Sequence, residues 1–135
     1  MDQIYPDNGL VAWLKAMVTP SVNYHLYTNN HLPGLSDTIS TYTEAAWSGY
    51  AAISVADTAF TFTQVTAHVG AVQAPNISFT NTSGSAQSVY GYFVTDSTNT
   101  YLLAAAQFDG APISIPNGNA QAVTPLFANY SALTS

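Results

Sequence analysis

Three histidines, His25, His31 and His68, and seven carboxylates are the residues of this chain best suited to acid–base or metal chemistry. His25 and His31 flank one loop, with Asp37 and Glu44 a little further on. A metal site needs such ligands to converge on one ion, and the spacing here matches no compact ligand motif. Serines are abundant, but a serine nucleophile needs a positioned histidine and acid, and no Gly-x-Ser-x-Gly elbow occurs. Glycoside hydrolysis would need two of Asp2, Asp7, Asp37, Glu44, Asp57, Asp96 and Asp109 as a facing pair. Most of these fall at predicted turns or caps, where aspartate is favoured for its hydrogen bonding to the backbone. The residues therefore predict no enzyme activity, no cofactor and no metal.

The elements that would position these residues are mostly strands. Gln87 to Asp109 reads as a hairpin, with strands at about 89–95 and 101–108 around the polar turn Asp96-Ser97-Thr98-Asn99. The second strand is apolar on both faces, which predicts a central position in a sheet. Gly91, inside the first, predicts a bulge or a close neighbour. Asp7 to Val18 predicts the one helix, capped by Asp7 or Asn8, with Leu10, Trp13, Leu14 and Met17 on one face and Thr19-Pro20 at its end. Further strands are predicted at about 22–28, 50–55, 58–69, 76–81, 113–115 and 121–127. The segments between them are rich in turn residues, Pro33-Gly34 and Thr82-Ser83-Gly84-Ser85 among them. The expectation is a single all-β domain over 1–135. It is a sandwich or barrel of seven or eight short, mostly antiparallel strands with one N-terminal helix and a tail over 128–135.

Composition limits the partners. Only 6% of residues are charged, against roughly a quarter in an ordinary domain, so the polar surface is built from Ser, Thr, Asn and Gln. Such a surface costs less to desolvate than one of Lys and Glu, which suits extensive contact with other protein. The net charge is −6 and Lys15 is the only basic residue. With almost nothing to neutralise phosphates, nucleic acid and anionic membranes are not expected partners. There is no cysteine, so neither disulfides nor thiolate metal sites arise. No apolar run approaches a membrane span, and the acidic Met1-Asp2-Gln3-Ile4-Tyr5-Pro6-Asp7 lacks the regions of a signal peptide, so synthesis in a cytoplasm is expected.

Val-Tyr-Gly-Tyr-Phe-Val-Thr-Asp at 89–96, followed by Tyr-Leu-Leu-Ala-Ala-Ala-Gln-Phe at 101–108, resembles a group of small virion proteins of tailed bacteriophages. Leu-Tyr-Thr-Asn-Asn at 26–30, Tyr-Thr-Glu-Ala-Ala-Trp-Ser-Gly-Tyr-Ala at 42–51 and the ending Ile113 to Pro125 extend the resemblance from Leu10 onward. Gln107 departs from the pattern, which has an acidic–basic pair before the phenylalanine. The resemblance implies no catalytic residues. It implies a non-enzymatic virion structural protein, a capsid cement or decoration protein whose partners are the major capsid protein and further copies of itself. The alternative is a tail or fibre module that binds host-surface glycans, for which the Tyr, Trp, Asn and Asp content of the loops speaks.

Contacts are expected from the long loop Asn29 to Thr43 and from the two terminal segments. Within the loop the candidates are Asn29, Asn30, His31, Leu32 and Leu35. Trp13, Tyr27 and Trp47 are aromatic candidates, since buried aromatics often dominate interface energy, and Phe127 and Tyr130 represent the C-terminal segment.

Overall fold

The computed structural model describes residues 6–66, 69–123 and 126–130. His68 and the end of the expected tail lie outside the described residues. The helix α1 (Asp7–Val18) has the predicted bounds, but its start differs. Pro6 occupies the cap, where its carbonyl accepts the amides of Gly9 and Leu10, and no side chain caps the turn. Leu10, Leu14 and Val18 are buried, whereas Trp13 is 55% exposed.

Among the described residues eleven strands follow, in four antiparallel sheets, so the fold is all-β with one helix. The largest sheet runs β2 (Ile53–Ala56), β1 (Ser21–Tyr27), β7 (Gly91–Asp96), β8 (Leu102–Gln107). A three-stranded sheet runs β11 (Leu126–Tyr130), β4 (Val69–Gln73), β3 (Thr61–Thr66), and α1 packs on it. β10 (Ala120–Val123) pairs with β5 (Ile77–Thr80), and β6 (Gln87–Val89) with β9 (Ile113–Ile115). One core joins these sheets. Val22, Tyr24, Leu26, Val55 and Val94 enter it from the four-stranded sheet, Val72, Phe79, Val89 and Ile115 from the others, and Phe60 from just before β3.

Several elements depart from expectation. The strand expected at 58–69 begins only after a 3₁₀ turn at Asp57–Ala59 and ends in a hairpin with β4. The strand expected at 121–127 divides into β10 and β11, so Asn129 and Tyr130 belong to a paired strand and not to a tail. The hairpin at 89–108 forms, but its second strand is not central. β8 ends the sheet, and β1 and β7 hold the middle. Its apolar residues report what lies above and below it. A bulge opposite Val94 and Thr95 turns Leu103 and Ala104 towards the main core, while Leu102 and Ala105 pack on the other face. Gly91 is a close approach, as predicted: a Cβ there would collide with the Ala106 carbonyl and lie 2.7 Å from the Tyr27 hydroxyl.

Candidate interaction surface

The outer face of the four-stranded sheet carries a second, smaller apolar cluster of Tyr27, Phe93 and Tyr42. Tyr27 and Phe93 project from β1 and β7, and Tyr42 comes from the loop over 28–44 that folds back across this face. The cover is aromatic. His25 stacks on Phe93 at 4.6 Å between ring centroids, and Tyr42 stacks on the same ring at 5.1 Å. Tyr27 and His31 meet Tyr42 edge-on.

Polar bonds fix the loop at its mouth and near its tip. At the mouth the Asn29 side chain donates to the Thr41 carbonyl at 3.1 Å and accepts the Thr43 amide at 2.7 Å. Near the tip one oxygen of Asp37, Oδ2, accepts the Gly34 amide at 2.8 Å, the Tyr42 hydroxyl at 2.7 Å and His31 Nε2 at 2.7 Å. The Gly34 amide, then the Tyr42 and His31 bonds, lower the Asp37 carboxyl to about 2. Burial, and then the same carboxylate, push the Tyr42 phenol upward. The tip between these anchors is apolar and open: Leu32 is 73% exposed and Leu35 fully exposed. Between the tip and β8 runs a cleft of about 400 Å³, walled by Pro33, Leu35, Asp37 and Tyr42 on one side and Leu102 to Ala105 on the other.

The two described histidines, His25 and His31, pair with separate carboxylates. His25 Nδ1 lies 2.7 Å from Glu44 Oε1, and its Nε2 lies 3.1 Å from Thr95 Oγ1. Acid, imidazole and hydroxyl stand in the order of a hydrolase triad, but the polarity is wrong. Thr95 donates its proton to Asn99 Oδ1 at 2.6 Å, so its oxygen faces His25 as an acceptor. Thr95 is also fully buried, out of reach of a substrate. The network's visible work is to tie Glu44, β1 and the 96–100 turn together. Among the described residues no three His, Asp or Glu side chains gather where they could hold a metal ion.

The candidate residues divide accordingly. Leu32, Leu35, Asn30 and Trp13 are exposed. Tyr27 is fully buried and its hydroxyl donates to the His31 carbonyl, so it supports the loop from below. Asn29 and His31 are likewise committed to the loop's own bonds. Trp47 is half-buried, packed edge-on against Tyr50 beside the main core. Phe127 and Tyr130 are paired through their backbones with Val72 and Val69. Tyr101, just before β8, is 68% exposed, and the open edge of β8 is what sequence reasoning missed. Among the described residues no helix is long and apolar enough to cross a membrane. Comparison with protein-family models, with curated proteins and with solved structures finds no match to this chain.

Proposed function

We propose that this chain is a non-enzymatic virion structural protein, a capsid cement or decoration protein that binds an assembled phage shell through the tip of the 28–44 loop. The observation that carries the binding reading is the contrast within that loop. It is held at its mouth by the Asn29 bonds and near its tip by the Asp37 and Tyr42 bonds, while Leu32 and Leu35 stand in solvent between them. A loop held this way loses little entropy on docking. Burying its two leucines would contribute about 3–6 kcal/mol. The shell as the partner rests on the resemblance of residues 26–30, 42–51 and 89–108 to small phage virion proteins. A surface with one basic residue in the whole chain favours protein over nucleic acid.

The test is the copy number of this chain in purified particles, by quantitative mass spectrometry against the major capsid protein. Copies in proportion to capsid subunits are expected. A few to tens of copies would favour the tail or fibre module, and absence from particles would overturn the virion reading. Leu35→Asp should weaken shell binding at least tenfold, read by co-sedimentation with particles stripped of the protein. Its melting temperature should not change, because Leu35 is fully exposed.

A further inference from the structure

β8 closes its sheet as an open edge of an unusual kind. No second strand pairs with it among the described residues. An edge leaves a row of backbone N–H and C=O groups free to pair, and native proteins block such rows with charge, proline or a covering segment. Leu102 to Gln107 contains neither a charged residue nor a proline. Its one bulge lies at Leu103, which leaves Ala104 to Gln107 in regular register with β7. The opposite edge, β2, is only four residues long and is followed at once by the turn at Asp57.

We propose that two copies of the chain join through β8, antiparallel about a two-fold axis normal to the sheet, to make one eight-stranded sheet. Charge marks β8 as a place where a second copy can approach without repulsion. With seven acidic residues against one lysine, the chain as a whole repels a copy of itself. The acids flanking β8, Asp96 and Asp109, lie beyond its ends. In an isologous pairing each residue has one fixed opposite. Centred on Ala105, the pairing sets Asp109 against Tyr101; centred on Ala106, it sets Asp109 against Leu103. In neither register does an acid meet an acid. The remaining acid nearby, Asp37 in the cleft wall, is turned into its own loop by Gly34, Tyr42 and His31. Three successive alanines at the centre of the strand let two identical edges approach without a clash of large side chains.

A two-fold axis normal to the sheet leaves each face on its own side. Both 28–44 loops therefore stand on one face of the dimer, with their leucine tips aimed the same way. Two tips meeting one lattice would bind as a linked pair. That consequence rests on the docking reading above, whereas the pairing of β8 does not.

The chain has no cysteine, so single introduced thiols report contact cleanly. Directly opposed residues of an antiparallel pair have Cα atoms about 4.5–5.5 Å apart, within reach of a disulfide. Sedimentation equilibrium of the unaltered chain up to about 1 mM, the range of weak association, should show a monomer–dimer equilibrium. Ala104→Cys, Ala105→Cys, Ala106→Cys and Gln107→Cys should then be oxidised mildly beside Ala16→Cys on the exposed side of α1. At least one β8 position should give covalent dimer tenfold faster than Ala16→Cys. A monomer at every concentration would overturn the proposal, as would a dimer that cross-links at no β8 position. If the cysteine variants fail to fold, amide exchange in β8 of the unaltered chain decides: protection must rise with protein concentration. Leu35→Asp separates the two readings, since it should abolish shell binding and leave the dimer intact.

Discussion

Asp37 anchors the loop with a single oxygen, and this gives the loop a dependence on acid. Its carboxyl is lowered to about 2 in the folded chain, first by the Gly34 amide and then by Tyr42 and His31. A group depressed on folding contributes stability above its ordinary range and loses it as pH falls through the folded value. Amide protection across residues 33–38 should therefore decline between about pH 4 and pH 2. In Asp37→Asn the loop should be loose at neutral pH and show no such decline, both read by hydrogen exchange. Asn81 is the corresponding anchor in the core. It is fully buried, donates to the carbonyls of Ser85 and Ile115, and accepts from the amide and hydroxyl of Ser83. Asn81→Ala leaves buried carbonyls unpaired and should cost about 3 kcal/mol or more in urea unfolding. Tyr24 is the opposite case. Its hydroxyl is buried with no hydrogen-bond partner, and burial raises its pKa. Tyr24→Phe should leave stability unchanged or raise it by up to about 1 kcal/mol in the same assay.

At the scale of elements, β1, β7 and β8 meet most tightly at Gly91. A methyl group there has nowhere to go, because the Ala106 carbonyl is backbone and the Tyr27 ring is fixed by the loop above it. Gly91→Ala should destabilise the chain by about 3 kcal/mol or more, as overpacking against a backbone atom does, with a lower urea midpoint as the readout. The position was legible in the sequence, since a glycine amid aromatic and β-branched residues signals a close neighbour. The hairpin, the helix bounds and the turn at Asp96 were legible too. That turn works as its residues suggest: Asp96 Oδ1 accepts the amides of Thr100 and Tyr101, and Asn99 takes a φ of 54°. The lateral place of β8 was not legible. Apolar residues on both faces of a strand record layers above and below it, and nothing in a single strand records whether a neighbour lies to its left or right. The same limit hid the loop's aromatic base. Tyr27 looked like a contact residue because tyrosine serves both cores and interfaces, and only the fold of the loop over Phe93 shows it buried.

For the whole molecule, the decisive feature is which strands are neighbours. β1, next after the helix, is flanked by β2 on one side and by β7 on the other. Val22 pairs with Asp96, and Tyr27 with Gly91. The main core, the outer aromatic cluster and the His25–Thr95 bond all draw on this single seam. A seam between segments so distant in sequence closes slowly, because the intervening chain must be ordered before the contact is gained. During synthesis, β1 is thus made well before β7, the strand that encloses it on one side. Until Gly91 to Asp96 has left the ribosome, Val22, Tyr24 and Leu26 lack the strand that seals them. The nascent chain carries Val22, Tyr24 and Leu26 uncovered until then, and a chaperone that shields extended apolar segments would find its binding site there.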